Sequence, residues 1–133
     1  MLTFGGLIRH HGRYWGDKDA FVELERRRSW GEYHRRTDAL GHALRRLGIS
    51  PGDRVAILAA DCIEVAETFG ACTKIGAIRV GLNPRLAAPE IATVVPSMMP
   101  SWENLGAFSA AGAFSTSPGA SRLRSVIATS CVG

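Results

Sequence analysis

Charged residues and serines trade places at Val95, and that exchange confines any packed core to the front of the chain. Residues 1–95 carry 25 charged side chains and only two serines, Ser29 and Ser50. Residues 96–133 carry three charged residues, Glu103, Arg122 and Arg124, and eight serines. Ser, Ala, Gly and Pro fill 21 of these 38 positions, and Gly106-Ala107-Phe108-Ser109 returns as Gly112-Ala113-Phe114-Ser115. Such a stretch has too little apolar periodicity to offset the entropy of ordering it. Residues 96–133 therefore read as an unstructured, low-complexity tail, and residues 1–95 as the folded part.

The front part alternates α and β. Trp30, Tyr33, Thr37, Leu40, Leu44 and Leu47 recur at spacings of 3, 4, 3, 4 and 3, one stripe of a helix directed at a sheet. Ser29 and Glu32 form a capping box at its start, and Gly48 suits its end. The turn residues Ser50-Pro51-Gly52-Asp53 deliver the chain into Val55-Ala56-Ile57-Leu58, a continuous apolar run typical of a strand covered on both faces. A second helix follows, with Asp61 as N-cap, Glu64 as its partner, Gly76 as the stop, and a core face of Ile63, Ala66, Phe69, Gly70 and Thr73. Ala77 to Leu82 reads as a second strand and Ala20 to Leu24 as an edge strand. Strand, helix and strand in that order make one right-handed crossover between parallel strands.

Composition removes whole classes of function. Apolar residues make up 46% of the chain and charged residues 21%, ordinary values for a chain with a core. The longest apolar run in the front part, Val55 to Ala60, is far short of the ~18 residues a membrane-spanning helix needs. Met1 to Arg13 places its charges after its apolar residues, the reverse of a secretory signal. The cysteines, at positions 62, 72 and 131, are odd in number and lack metal-ligand spacing. A reduced, cytoplasmic setting is the expectation. The net charge of +4 comes from 14 Arg and two Lys scattered among acids, which disfavours a nucleic-acid partner. His10, His11, His34 and His42 show no ligand spacing, so no metal site is expected.

Chemistry-bearing motifs fare no better. Gly76 and Gly81 have the spacing of a phosphate-cradling loop, but Leu82-Asn83 stand where Lys-Ser/Thr is required, and the segment spans a strand. No dinucleotide fingerprint follows the Val55 strand. Asp61 and Glu64 already have a capping role. Cys62 and Cys72 read as small core residues, since no histidine is placed to activate them.

Ser29-Trp30-Gly31-Glu32-Tyr33, the Arg/Leu/Ala helix ending Leu47-Gly48-Ile49, and Pro51-Gly52-Asp53-Arg54-Val55-Ala56 together resemble the opening of AMP-forming acyl-CoA synthetases. Asp61-Cys62-Ile63-Glu64, Lys74-Ile75-Gly76-Ala77, Leu82-Asn83-Pro84-Arg85-Leu86 and Pro89-Glu90-Ile91 continue the resemblance at the expected distances. It covers about residues 1–95 and implies an incomplete N-terminal portion of the adenylate-forming fold, α/β with a partly parallel sheet. Gly81 stands where the family usually has proline.

The resemblance implies an ATP-dependent ligase for a fatty or aromatic acid that forms an acyl-adenylate and then a coenzyme A thioester. The family's machinery comprises a Ser/Thr/Gly-rich phosphate loop with a lysine, an acidic residue on the ribose, a hinge and a late catalytic lysine. Ser115-Thr116-Ser117-Pro118-Gly119 is like that loop only superficially, and the sole lysines are Lys18 and Lys74. The matching motifs are structural ones, so no catalytic, cofactor-binding or metal residue carries over. ATP, Mg and coenzyme A are implied for the parent family and none is expected to bind this fragment, which is expected to be inactive. A partial parallel sheet leaves edges and an apolar face open, and a ligase subunit is the partner expected to cover them. A basic nucleic-acid-binding module and a fragment docking on a full-length ligase are the alternatives. The tail departs from the family altogether. Met98-Met99-Pro100 admits a displaced reading frame that encodes Asp then Ala, similar to the family's acidic-small stretch, so a frameshift near Val95 is one origin for it.

Overall fold

The computed structural model describes residues 2–98 and 125–129, with side chains up to residue 95. The elements in chain order are α1 (Phe4–Tyr14), β1 (Asp19–Glu23), β2 (Arg26–Ser29), α2 (Trp30–Arg46), β3 (Arg54–Leu58), α3 (Ile63–Ile75), β4 (Ile78–Leu82), α4 (Ala88–Met98) and β5 (Ser125–Thr129). β1 and β2 form an antiparallel hairpin, turned at Leu24, whose φ is 51°. The second sheet runs β4-β3-β5, with both outer strands parallel to β3.

After Arg54, β3 is apolar because both of its faces are covered. On one side Val55 packs with Leu44 and Ile49 and with Ala71, Cys72 and Ile75 of α3. On the other, Ala56 and Leu82 meet Val95, with Leu58, Val80 and Ile91 around them. α4 thus covers the face that a β3–α3–β4 unit alone would leave open. The two sides alternate residue by residue along the strand, as the period of two requires.

α2 begins at the expected capping box: the Ser29 hydroxyl accepts from the Glu32 N–H, and the Glu32 carboxylate accepts from the Ser29 N–H. Its stripe lands differently from expectation. Tyr33, Thr37 and Leu44 are buried, chiefly against α3, and Leu44 also joins the cluster around Val55 of β3. Leu47 is 37% exposed at the helix end.

The start of α3 also departs from the sequence reading. Its N-cap is Cys62, with no side-chain capping bond, and the Ile63 N–H donates instead to Glu23 Oε2 at 3.1 Å. A carboxylate from β1 has taken the place Asp61 was expected to fill. Phe69 is 37% exposed, while Glu67, Ala71, Cys72 and Ile75 are buried, so the core face is rotated from the one expected. Gly76 does end the helix, in the left-handed conformation at φ 77°.

Within residues 96–133, α4 continues to Met98 and the backbone of 125–129 pairs with β3. The backbone of those five residues is therefore a strand, β5, inside a segment expected to be unstructured. The remainder of the tail, including Ser115 to Gly119, lies outside the described residues. No described helix is long and apolar enough to cross a membrane.

Candidate functional site

The residues of the recognisable motifs are engaged in holding the strands. The Asp53 carboxylate accepts from the Ser50 N–H at 2.7 Å and is buried. The Gly52 N–H donates to the Gly76 carbonyl and the Ile78 N–H to the Asp53 carbonyl, each at 2.8 Å, stitching the entry to β3 onto the entry to β4. Asn83 Oδ1 accepts from the Arg85 N–H in the turn after β4. Glu90 Oε2 accepts from the Ala87 N–H at the start of α4.

Lys74 is an enclosed cation. Its side chain is 5% exposed, and Nζ donates to the His34 carbonyl, Thr37 Oγ1 and Asp38 Oδ1 at 2.8–2.9 Å, with His34 Nδ1 at 2.7 Å. Burial pulls the Lys74 pKa down, against the pull of Asp38. Burial and the Lys74 ammonium together lower that of His34. A second network surrounds buried Glu67. Arg36 donates to both of its oxygens, and Arg28 Nε lies 3.1 Å from Oε1 without the alignment of a hydrogen bond. Tyr33 donates to the Ala66 carbonyl at 2.9 Å, and burial with Glu67 nearby pushes its phenol up to about 12.

Two cavities adjoin. Outside the carboxyl ends of β3 and β4, the usual ligand position in parallel sheets, Ala59 to Asp61 and Asn83 to Arg85 enclose about 520 Å³ with Arg79 and Val65. Beneath α1 an apolar cavity of about 390 Å³ is walled by Phe4, Leu7, Phe21, Trp30, Tyr33 and Phe69. Asp61, Val65 and Arg79 line both. Arg79 Nε is buried without a hydrogen-bond partner, and the guanidinium runs beside Gly81, where a Cβ would lie 3.4 Å from Nη2.

The residues weighed from the sequence do not come together as a reaction centre. Asp61 is exposed at the cavity mouth, whereas Glu64 is paired with Arg26. Gly76 and Gly81 serve a helix end and a strand. Cys72 is a free, buried thiol that burial pushes up to about 11, which makes it a poor nucleophile. Cys62 stands at the N-cap of α3 and is half-buried. His10 and His11 stack with Tyr14, Trp15 and Trp30. Among the described residues no three His, Cys, Asp or Glu side chains converge as a metal site. Arg79, Glu67 and the Lys74 network escaped the sequence reading; the available signal was a charge inside an otherwise apolar strand or helix face.

Known proteins share this arrangement. Residues 8–101 match the AMP-binding enzyme family, a span that starts later and ends later than the motifs alone suggested. Long-chain-fatty-acid–CoA ligase FadD13 of Mycobacterium tuberculosis is 31% identical over 97 residues, covering 71% of this chain and 19% of the ligase. Fatty acid–acyl-carrier-protein ligase ScoC of Streptomyces coeruleorubidus is 36% identical over 67 residues, covering 50% of this chain and 13% of its own. A Rhodopseudomonas palustris structure described as a long-chain-fatty-acid CoA ligase superposes with a TM-score of 0.71 and 38% identity, over 75% of this chain and 25% of that one. The chain therefore spans 19% or less of these curated relatives' length. The family match across residues 8–101, with a parallel β3–α3–β4 unit beneath it, establishes that the chain belongs to the AMP-binding enzyme family.

Proposed function

We propose that these residues are a scaffold segment of an acid–CoA ligase and do not carry out its reaction alone. In the reaction so implied, a carboxylate attacks the α-phosphorus of ATP and expels pyrophosphate; the thiol of coenzyme A then displaces AMP from the acyl-adenylate. The observation that carries the proposal is the employment of the motif residues. Gly52, Asp53, Gly76 and Asn83 hold strand ends and turns together. Lys18 lies 5.6 Å from the Trp15 ring centre and Lys74 is enclosed by its acceptors, so neither lysine lines the cavity at the strand ends. Adenylyl transfer depends on cations and donors positioned around the nucleotide. Among the described residues Asp61 is the only acid lining that cavity, beside Arg79 and Arg85, a donor set ill suited to Mg²⁺.

Acid-dependent ATP–pyrophosphate exchange by the purified chain tests the proposal. No exchange above a no-enzyme control is expected with fatty or aromatic acids; exchange with any of them overturns it. A partner ligase subunit would cover the outer edge of β4, where Ile78 is 47% exposed. Co-purification with a full-length ligase is the expected sign of that partner. Ion pairs of Arg26, Arg27 and Arg36 with Glu64, Asp19 and Glu67 reduce the positive charge these three would offer a nucleic acid.

A further inference from the structure

We propose that a third cavity, at the far end of α3 from the strand ends, is a site for a phosphate-class dianion, free or as the end group of a soluble phosphomonoester, held by Arg9 of α1 and Arg45 of α2. It shares no lining residue with the two cavities described above. The site needs neither a nucleotide nor an acid substrate, so it stands or falls apart from the ligase reading.

The cavity, of about 350 Å³, lies where the first three helices meet, with Arg9, Asp38, Gly41, His42, Arg45 and Lys74 in its walls. Charge decides what it can hold. Among the described residues Asp38 is its only carboxylate, and that group is already committed: Oδ1 accepts from Lys74 Nζ at 2.8 Å, and Oδ2 lies 3.3 Å from His34 Nδ1. Asp38 and Lys74 offset each other, which leaves the two arginines. Among the described residues neither Arg9 nor Arg45 has an ion-pair partner. The charge of Arg9 reaches the interior: burial is the first cause of the low pKa values of Lys74 and His34, and Arg9 adds to the lowering of both. Arg45 stands in the last turn of α2, where the helix dipole favours a cation, whereas Arg9 in the middle of α1 has no such compensation.

A tetrahedral oxyanion answers this surplus. Each guanidinium fork presents paired N–H donors that match two oxygens of a phosphate. His42 offers a further N–H donor in either protonation state. A dianion balances both arginines, where a carboxylate balances one. The described walls hold no Phe, Tyr or Trp, so an apolar tail finds no counterpart there. Gly41 draws the donors together: a Cβ there would lie 3.0 Å from Ile75 Cγ2, and its absence lets α2 close onto α3.

The test is titration of the full chain with inorganic phosphate, methyl phosphate and acetate at one ionic strength, followed by calorimetry and amide NMR. Phosphate is expected to bind saturably, with amide shifts at Gly41, His42 and Ile75. Acetate, a monoanion with two oxygens, is expected to bind about tenfold more weakly or worse. Methyl phosphate binding as tightly as phosphate supports a phosphomonoester as the ligand, and its exclusion supports free phosphate. Arg9→Gln and Arg45→Gln should each weaken phosphate binding about tenfold, while Arg85→Gln, at the strand-end cavity, should leave it unaltered. Should either of the first two variants fail to fold, the amide shifts of the unsubstituted protein decide the matter. The proposal is overturned by non-saturable phosphate binding, by acetate binding as tightly, by a folded Arg9→Gln or Arg45→Gln variant that binds as before, by an equal loss in Arg85→Gln, or by shifts confined to residues 79–85.

Discussion

Arg36 of α2 grips Glu67 of α3 with two donors on one edge of its guanidinium, Nε at 2.5 Å from Oε1 and Nη2 at 2.9 Å from Oε2. The carboxylate is 6% exposed and the arginine 50% exposed, so the pair bridges the helix interface with one end in water. Solvent on the arginine side weakens the attraction well below that of a fully buried pair. Removing Arg36 still leaves a buried carboxylate beside Arg28 alone. Arg36→Met is expected to lower stability by about 2 kcal/mol in urea denaturation. The double variant with Glu67→Met should cost less than the two single changes added together. Strict additivity would mean that the two side chains do not act as a pair.

His34 gives the fold a pH dependence with a definite sign. Its Nδ1 accepts from the Lys74 ammonium at 2.7 Å, so protonation would set two cations against each other. Burial, Lys74 and Arg9 hold its folded pKa below 6.5, with Asp38 opposing them. The unfolded chain therefore takes up the proton first as pH falls. The stability is present in full above the unfolded value and is lost as pH drops below about 6.5 through the folded one. His34→Gln should flatten that loss in urea midpoints measured between about pH 8 and 5. An unchanged slope in the variant would place the dependence elsewhere.

Two glycines of the motif regions separate backbone strain from crowding. Gly76 has φ 77° and Gly52 has φ 89°, both in the region that side chains disfavour. A Cβ on Gly76 would lie 3.2 Å from the Pro51 Cβ, whereas one on Gly52 would meet nothing within 4 Å. Gly52→Ala is expected to cost about 1 kcal/mol and Gly76→Ala about 2 kcal/mol, the excess coming from the contact with Pro51. Thermal unfolding of the two variants checks the order, and a larger loss in Gly52→Ala would reverse the assignment.

What was legible in the sequence was what is local. The Ser29–Glu32 box and the period of the α2 stripe are written within single segments, and so is the β3–α3–β4 order. β2 was missed because Arg26-Arg27-Arg28 contradicts strand propensity. Those arginines are held by Glu64, Asp19 and Glu67, two of them on α3. Asp61 lost the cap of α3 to Glu23, 40 positions before Ile63 in the chain. α1 was hidden by Gly5, Gly6 and Gly12, poor helix formers; yet Gly5 lets α1 approach α3 so closely that a Cβ would lie 3.1 Å from Lys74 Cα. Arg79 reads as a solvated edge charge until the walls of both cavities are in place. Propensity and caps speak for neighbours in sequence, while the candidate site is made of partners that only the fold brings together.

The α2 stripe divides into residues that carry the core and one that does not. Leu44 is 5% exposed among Ile49, Val55, Ala71, Cys72 and Ile75, so α2, α3 and β3 all meet at its side chain. Truncating it removes buried methyl groups and leaves a cavity whose walls belong to three different elements, which cannot all relax inward. Leu44→Ala is expected to cost about 3 kcal/mol, a large share of the stability of a domain this size. Leu47 belongs to the same periodic stripe but lies 37% exposed past the last turn of the helix. Leu47→Ala should therefore change stability by less than about 1 kcal/mol. Urea unfolding of the two variants under one set of conditions compares them directly. Equal losses would mean that α2 docks through its C-terminal turn as firmly as through its middle, contrary to the burial seen here.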